Sequence, residues 1–301
     1  MMKIAITPHS FARYSKASLR MLEESGLGWV LNETGRRIGE DETIALLQGC
    51  VGIIAGSGPI TRKVIDACPD LKVISRCGPT ADNVDTAYAE QKGIRVAIAP
   101  SGHGIATAEL AVGLMLSLLR QVPHMDRNVR CGVWKKRMGV LLQHKKVGII
   151  GFGTTGHTVM RLLAPFDVQV AYTDPFVDDP SAPRMKLDEL MAWADIVTLH
   201  CPRVEGGYLL DAGRLALMRP GGLVLNLAKA GLVDENALNG LLVAGHLAGA
   251  ALDVFGKEPY EGPLRERENV ILTPHIAAHT KESRVIMEIE SVRNILEALT
   301  E

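Results

Sequence analysis

Residues 145–163 read KKVGIIGFGTTGHTVMRLL: a short apolar run, glycines at 151, 153 and 156, then an amphipathic stretch. Few local patterns restrict a fold as tightly. A brief apolar run bounded by glycine suits a strand buried on both faces of a parallel sheet. Gly151 then permits a tight turn, Gly153 lets the backbone approach a diphosphate, and Gly156 allows close helix–strand packing. The amides of Thr154 and Thr155 fall at the helix N-terminus, where the dipole favours an anion. In a chain with 30 glycines the spacing alone says little. Its place between strand and helix gives it weight, as does Asp174 at the end of the next strand candidate, VQVAYTD. A carboxylate there accepts hydrogen bonds from a ribose diol and repels a 2′-phosphate, which predicts NAD rather than NADP. Arg161 and Arg184 are the nearby cations able to alter that preference.

The same alternation runs the length of the chain. Strand candidates KIAIT, VGIIA, KVIS and RVAI fall in the first hundred residues, with helix-like segments between them. A second series follows the glycine turn: VQVAYTD, DIVTLHCP, GGLVLNLA, LAGAALDV and VILTPH. Short apolar runs alternating with longer amphipathic ones predict α/β architecture, a parallel sheet covered by helices. With 301 residues the chain is long for one core, so two Rossmann-like, doubly wound domains are expected. The first takes residues 1–98 and, by return of the last helix, 280–301; the second takes 99–279.

Composition removes other classes. Thirty-three basic against 34 acidic residues leave a net charge of -1, with no basic field for nucleic acid or an anionic membrane surface. The longest uncharged apolar run, LAVGLMLSLL, is too short to span a bilayer, and MMKIAITPHS enters a strand without a signal-peptide core. Cys50, Cys68, Cys77, Cys131 and Cys201 are scattered and odd in number, which suits reduced thiols in a cytoplasmic protein better than disulfides or zinc. His275 and His279 have an i, i+4 spacing that binds metal on a helix, but no HExxH or cysteine cluster supports it, so no metal is expected. A small ligand is the expected partner.

Taken in order, ISRCGPTADNVD, ATAELAVGLML, VGIIGFGTTG, DIVTLHCP, NLAKAGLVDENAL, ALDVFGKEP and TPHIAAHT resemble the D-2-hydroxyacid dehydrogenase family, in particular its phosphoglycerate-dehydrogenase-like branch. The resemblance covers nearly the whole chain. It implies a flavodoxin-like substrate-binding domain and an NAD-binding Rossmann domain, with a cleft between them. It also implies a homodimer held largely by the helix after Gly104, and hydride transfer between NAD and a small anionic substrate.

Carried over by residue, His275 matches the family's acid/base and Glu258 its partner carboxylate. The chemistry agrees: a proton must leave oxygen as hydride leaves carbon, and histidine titrates near working pH. A carboxylate on the far ring nitrogen would fix the tautomer. Cofactor contacts are expected from Gly151, Gly153, Thr154, Thr155, Gly156, Asp174, Cys201, Pro202, Leu227, Ala228, Thr107 and Asp253, the last facing the nicotinamide amide. Substrate contacts are expected from Ser57, from Cys77, Gly78 and Pro79, from His103 and from Lys229; Pro79 and Thr80 occupy the loop whose backbone amides cradle a carboxylate in relatives.

The departures matter as much. Lys229 stands where the family carries an arginine that grips the substrate carboxylate. A planar fork making two parallel bonds has become a compact point charge. Three readings stay open: a different anionic substrate, including a phosphorylated or phosphonate analogue; ordinary 2-hydroxyacid chemistry with a weaker clamp; or an NAD(H)-responsive, corepressor-like binding protein with little turnover. Pro79 removes one amide donor from the cradle. HCPRVEGGYLL lacks the family's threonine pair and is a residue shorter. His103 also suits a helix N-cap, and Trp134, beside Lys135, Lys136 and Arg137, reads as a packed ring next to a solvated charge run.

Overall fold

The structure, a computed structural model, describes residues 2–300. Its contacts divide the chain into two units. One runs to His103 and resumes at Ala278; the other is Gly104–Ala277. The boundaries lie at the start of a helix and just after the TPH string, rather than at 98/99 and 279/280.

The first unit holds five parallel strands, β1 (Lys3–Ile6), β2 (Gly28–Leu31), β3 (Gly52–Ala55), β4 (Val73–Arg76) and β5 (Arg95–Ile98), in the order β2-β1-β3-β4-β5. Between them run helices α1 (Ala17–Ser25), α2 (Glu40–Leu47), α3 (Arg62–Asp66) and α4 (Thr86–Gln91). The central strand β3, GIIA, is buried at every position, as a strand covered on both faces must be. β2 went unread in the sequence: GWVL is an edge strand whose four residues are all half-buried.

The second unit begins at Gly104, within α5 (His103–Leu119), and continues through α6 (Val122–Arg130), β6 (Lys146–Ile150), α7 (Thr154–Leu163), β7 (Gln169–Thr173), α8 (Leu187–Trp193), β8 (Ile196–Leu199), α9 (Ala212–Ala216), β9 (Gly222–Asn226), α10 (Glu235–Val243), β10 (Leu247–Leu252) and β11 (Val270–Leu272). Its six parallel strands are ordered β11-β10-β9-β8-β6-β7. Each strand lies where its apolar run was read. The last helix, α11 (Lys281–Thr300), belongs to the first unit and buries Met287, Val292 and Ile295 against its core.

Both sheets reverse direction beside their first strand, at β1/β3 and at β6/β8. At such a switch point the loops leaving the strand ends part, and ligands bind outside those carboxyl ends. The glycine turn follows β6 and Cys201 follows β8, so the second unit's switch point is flanked by residues already singled out.

Trp134 is a correction. It is 84% exposed, and Met138 is 91% exposed. Residues 133–140 form neither helix nor strand, so no regular element carries the ring inward. Among the described residues no single helix is long and apolar enough to cross a membrane.

Candidate active site

The glycine turn shows why each glycine is needed. Gly151 has φ +90°, and a Cβ there would lie 2.6 Å from the Cys201 nitrogen. One at Gly156 would collide with the Gly151 carbonyl oxygen. Gly153 has open space where its Cβ would be and caps the ten-residue helix α7. The turn therefore offers an unobstructed helix N-terminus, with Thr154 exposed and Thr155 half-buried beside it. This is a cradle for an anion, and it fits a dinucleotide's diphosphate. Gly104, near the start of α5, approaches the same spot: a Cβ there would touch Thr154 Cγ2 at 3.3 Å. Thr107, one turn further, is buried.

Asp174 follows β7 with its carboxylate already engaged. Oδ2 accepts the Phe152 N–H at 2.8 Å, and Oδ1 accepts those of Phe176 at 2.8 Å and Val177 at 3.1 Å. Burial pushes the group up, but these donors outweigh it and hold the carboxyl below its ordinary value. A fixed negative charge thus stands one strand away from the glycine turn. Cys201 ends β8, half-buried, with exposed Pro202 after it. Burial pushes the Cys201 thiol up to about 11, which favours its neutral form near neutral pH.

Asn226, at the end of β9, folds the lysine turn. Its Nδ2 donates to the Lys229 carbonyl at 3.0 Å, and its Oδ1 accepts the Ala228 N–H at 3.2 Å. Leu227 is buried, so it offers a ligand only its backbone, while Ala228 and Lys229 are half-buried. The Asn226 carbonyl also accepts the N–H of Asp253, at the end of the neighbouring strand β10.

From there the hydrogen bonds lead to the histidine. Asp253 is fully buried. It accepts the Thr273 hydroxyl at 2.6 Å and the N–H groups of Ile276 and Ala277, each at 2.8 Å. His275 lies between these anchors in the left-handed region, φ +55°, which an ordinary side chain adopts only when its surroundings impose it. Its Nδ1 is 3.1 Å from Glu258 Oε2, and Glu258 Oε1 accepts the Phe255 N–H at 3.2 Å. A carboxylate oxygen accepts here, so Nδ1 is the ring nitrogen that donates to Glu258 and Nε2 is the one turned away from it. The imidazole is 63% exposed. A cavity of about 590 Å³ adjoins the pair, lined among others by Tyr260 and Arg265.

Asp253 was expected to face the nicotinamide. The partners its carboxylate has in the structure are the three donors flanking His275, from Thr273, Ile276 and Ala277, with Asn226 behind it. Thr273 and Asn226, the other members of this network, were missed in the sequence. The signal available was a hydrogen-bonding residue at each strand end, in NLAK and TPH. Residues 275–280 are not helical, so His275 and His279 lack the helical geometry that their spacing would need to share a metal. Among the described residues no three metal-binding side chains cluster.

In the first unit two amides of the loop expected to cradle a carboxylate are already committed. The Cys77 N–H donates to the Ala55 carbonyl at 2.9 Å, that of Gly78 to the Arg76 carbonyl at 2.8 Å, and Pro79 has none. The Cys77 side chain is buried, and burial pushes its thiol up. Arg76, missed in the sequence, lies beneath this loop, bonded through Nε to Asn83 Oδ1 at 2.9 Å and through Nη1 to the Cys77 carbonyl. Ser57 is exposed after β3, and His103 is half-buried where α5 begins.

Residues 112–277 match the family model described as D-isomer specific 2-hydroxyacid dehydrogenase, NAD binding domain. The chain belongs to that family. The matched residues fall within the second unit, which corresponds to that family's NAD-binding domain. The chain is 40% identical over 243 residues to D-3-phosphoglycerate dehydrogenase of Archaeoglobus fulgidus, a match covering 77% of this chain and 46% of that protein. It is 36% identical over 275 residues to the enzyme of the same name from Rattus norvegicus, covering 88% and 51%. The chain thus spans about half the length of the curated relatives it matches. Among solved structures it is similar to the TT0316 protein of Thermus thermophilus, at 33% identity and a TM-score of 0.91, covering 99% of this chain and 97% of that one.

Proposed function

We propose that the protein is an NAD-dependent oxidoreductase acting on a small anionic 2-hydroxy or 2-oxo acid, or on a phosphorylated or phosphonate analogue. The observation that carries this reading is His275 held at φ +55° by Asp253 while Glu258 takes its Nδ1. A family member reduced to binding NAD would have no need of so constrained an acid/base pair, so the corepressor-like alternative is not favoured.

NAD, when bound, supplies the hydride donor or acceptor. The chain does the rest. The glycine turn and the α7 N-terminus hold the diphosphate, and Asp174 takes the ribose diol. In the oxidative direction His275 Nε2 accepts the proton that leaves the substrate hydroxyl, and Glu258 stabilises the imidazolium that results. In reduction His275 returns that proton to the carbonyl oxygen. Lys229 sits on the turn adjoining this network and is the proposed grip on the substrate anion, as a point charge in place of a fork. Ser57 and His103 are further proposed substrate contacts.

We also propose a cytoplasmic homodimer. The five cysteines are all free, which suits a reducing compartment. The exposed apolar side chains Trp134, Met138 and Leu141 on the segment after α6 suit burial against a second copy.

The test is NADH consumption against a panel of 2-oxo acids. Turnover on at least one is expected, and His275→Gln is expected to cut it by about a hundredfold or more with the NADH Kd unchanged. Tight NADH binding without turnover on any acid would leave the binding-protein reading standing.

A further inference from the structure

Arg203 lies in the loop that leaves β8, the strand between β9 and β6. Cys201, two residues before it, packs beneath Gly151 so closely that the glycine admits no side chain. Val204, one residue after it, packs against the buried core of the second unit. The backbone carrying Arg203 is therefore pinned on both sides. Its side chain reaches across to the next turn. A Cβ placed on Gly231 would meet Arg203 Nε and Nη2 at 3.5 Å, so the guanidinium lies against the backbone just beyond Lys229.

Among the described residues Arg203 makes no hydrogen bond or ion pair. An exposed arginine in that condition is ordinarily a solvated surface charge. This one is flanked by the Gly151 turn on one strand and the Lys229 turn on the other, and it rests on a glycine with φ +77°. Its donors are uncommitted beside the Lys229 turn, on a loop whose start packs against the Gly151 turn, and a guanidinium presents them as a planar fork suited to an oxyanion.

We propose that Arg203 is an oxyanion contact of this site, gripping either the dinucleotide's diphosphate or the anionic group of the substrate beside Lys229. The proposal rests on the NAD-dependent reading above. The fork that position 229 lacks is then supplied from the neighbouring loop.

The test uses the full chain and its Arg203→Gln and Arg203→Lys variants. NADH binding is followed by fluorescence, ADP-ribose binding by calorimetry, and oxalate binding to the NADH complex by its effect on that fluorescence. If the diphosphate is the ligand, Arg203→Gln weakens NADH and ADP-ribose alike by about tenfold, with partial recovery in Arg203→Lys. If the substrate anion is the ligand, both dissociation constants hold and oxalate binding weakens by a similar factor. No change in either arm, including a wild-type complex on which oxalate has no effect, overturns this assignment alone. A wild-type chain that binds neither NADH nor ADP-ribose overturns the cofactor reading, and this assignment with it.

Discussion

Asp253 accepts the hydroxyl of Thr273 at 2.6 Å and the N–H groups of Ile276 and Ala277 at 2.8 Å, so the backbone on both sides of His275 hangs from one buried carboxylate. An amide at this position turns an NH2 toward at least one of those donors. The loss of one hydrogen bond to a charged group costs about 1.5–3 kcal/mol, and the left-handed turn loses part of what imposes it. Asp253→Asn is expected to lower the thermal midpoint and to cut kcat at least tenfold. Thermal denaturation and steady-state kinetics on the same preparation check both. A lowered midpoint with unchanged kcat would make Asp253 structural and unconnected to His275.

That network also marks the limit of what the sequence discloses. The glycine turn, Asp174 and every strand of the second sheet are local patterns, and each lies where it was read. The partners of Asp253 are at least 20 residues away in the chain, and only the folded sheet brings them together. The Cys77 amide is out of local reach for the same reason: whether it is available depends on Ala55 of an adjacent strand. β2 was missed because a half-buried edge strand shows no continuous apolar run. Trp134 was misplaced because a large ring was assumed to be buried, whereas its segment has no regular element to carry it inward.

Lys229 divides the readings of the substrate. Lys229→Ala is expected to lower kcat/KM for the 2-oxo acid at least tenfold while leaving the NADH Kd unchanged, because its turn is tied through Asn226 and Asp253 to the His275 network. Lys229→Arg discriminates further. Improved turnover on simple 2-oxo acids identifies a weakened clamp, and reduced turnover on the preferred substrate identifies a site rebuilt around an ammonium. Equal rates for wild type and Lys229→Arg on every acid would remove Lys229 from contact with substrate.

Asp174 is expected to set the preference for NADH over NADPH. Its charge repels a 2′-phosphate, so Asp174→Asn should narrow the ratio of kcat/KM values by at least tenfold. The pH dependence has a defined sign. Backbone donors hold the folded carboxyl below its ordinary value despite the opposing effect of burial. Its contribution to stability is therefore present above the unfolded value of about 3.9 and lost as pH falls through the folded one. Wild type and Asp174→Asn should show parallel midpoint curves at neutral pH and converge only below about pH 4. Convergence beginning near neutrality would mean the carboxyl is not held down.

Glu288 has the opposite sign. It is 2% exposed on α11, with Oε2 accepting the N–H of Ala12, itself at φ +56°, and Arg284 Nε 3.6 Å from Oε1. Burial pushes the carboxyl above its ordinary value, while the Ala12 N–H, Arg284 and Lys16 act against it without prevailing. The folded state thus binds this proton more tightly than the unfolded chain does. Stability from this group is complete below the unfolded value of about 4.3 and declines as pH rises through the folded value. Glu288→Gln keeps an oxygen for Ala12 and abolishes the titration, so its thermal midpoint should fall less than that of wild type between pH 4.5 and 8. Curves that stay parallel over that range would show that the buried carboxyl titrates as it does in water, and that the loop after β1 is held without regard to its charge.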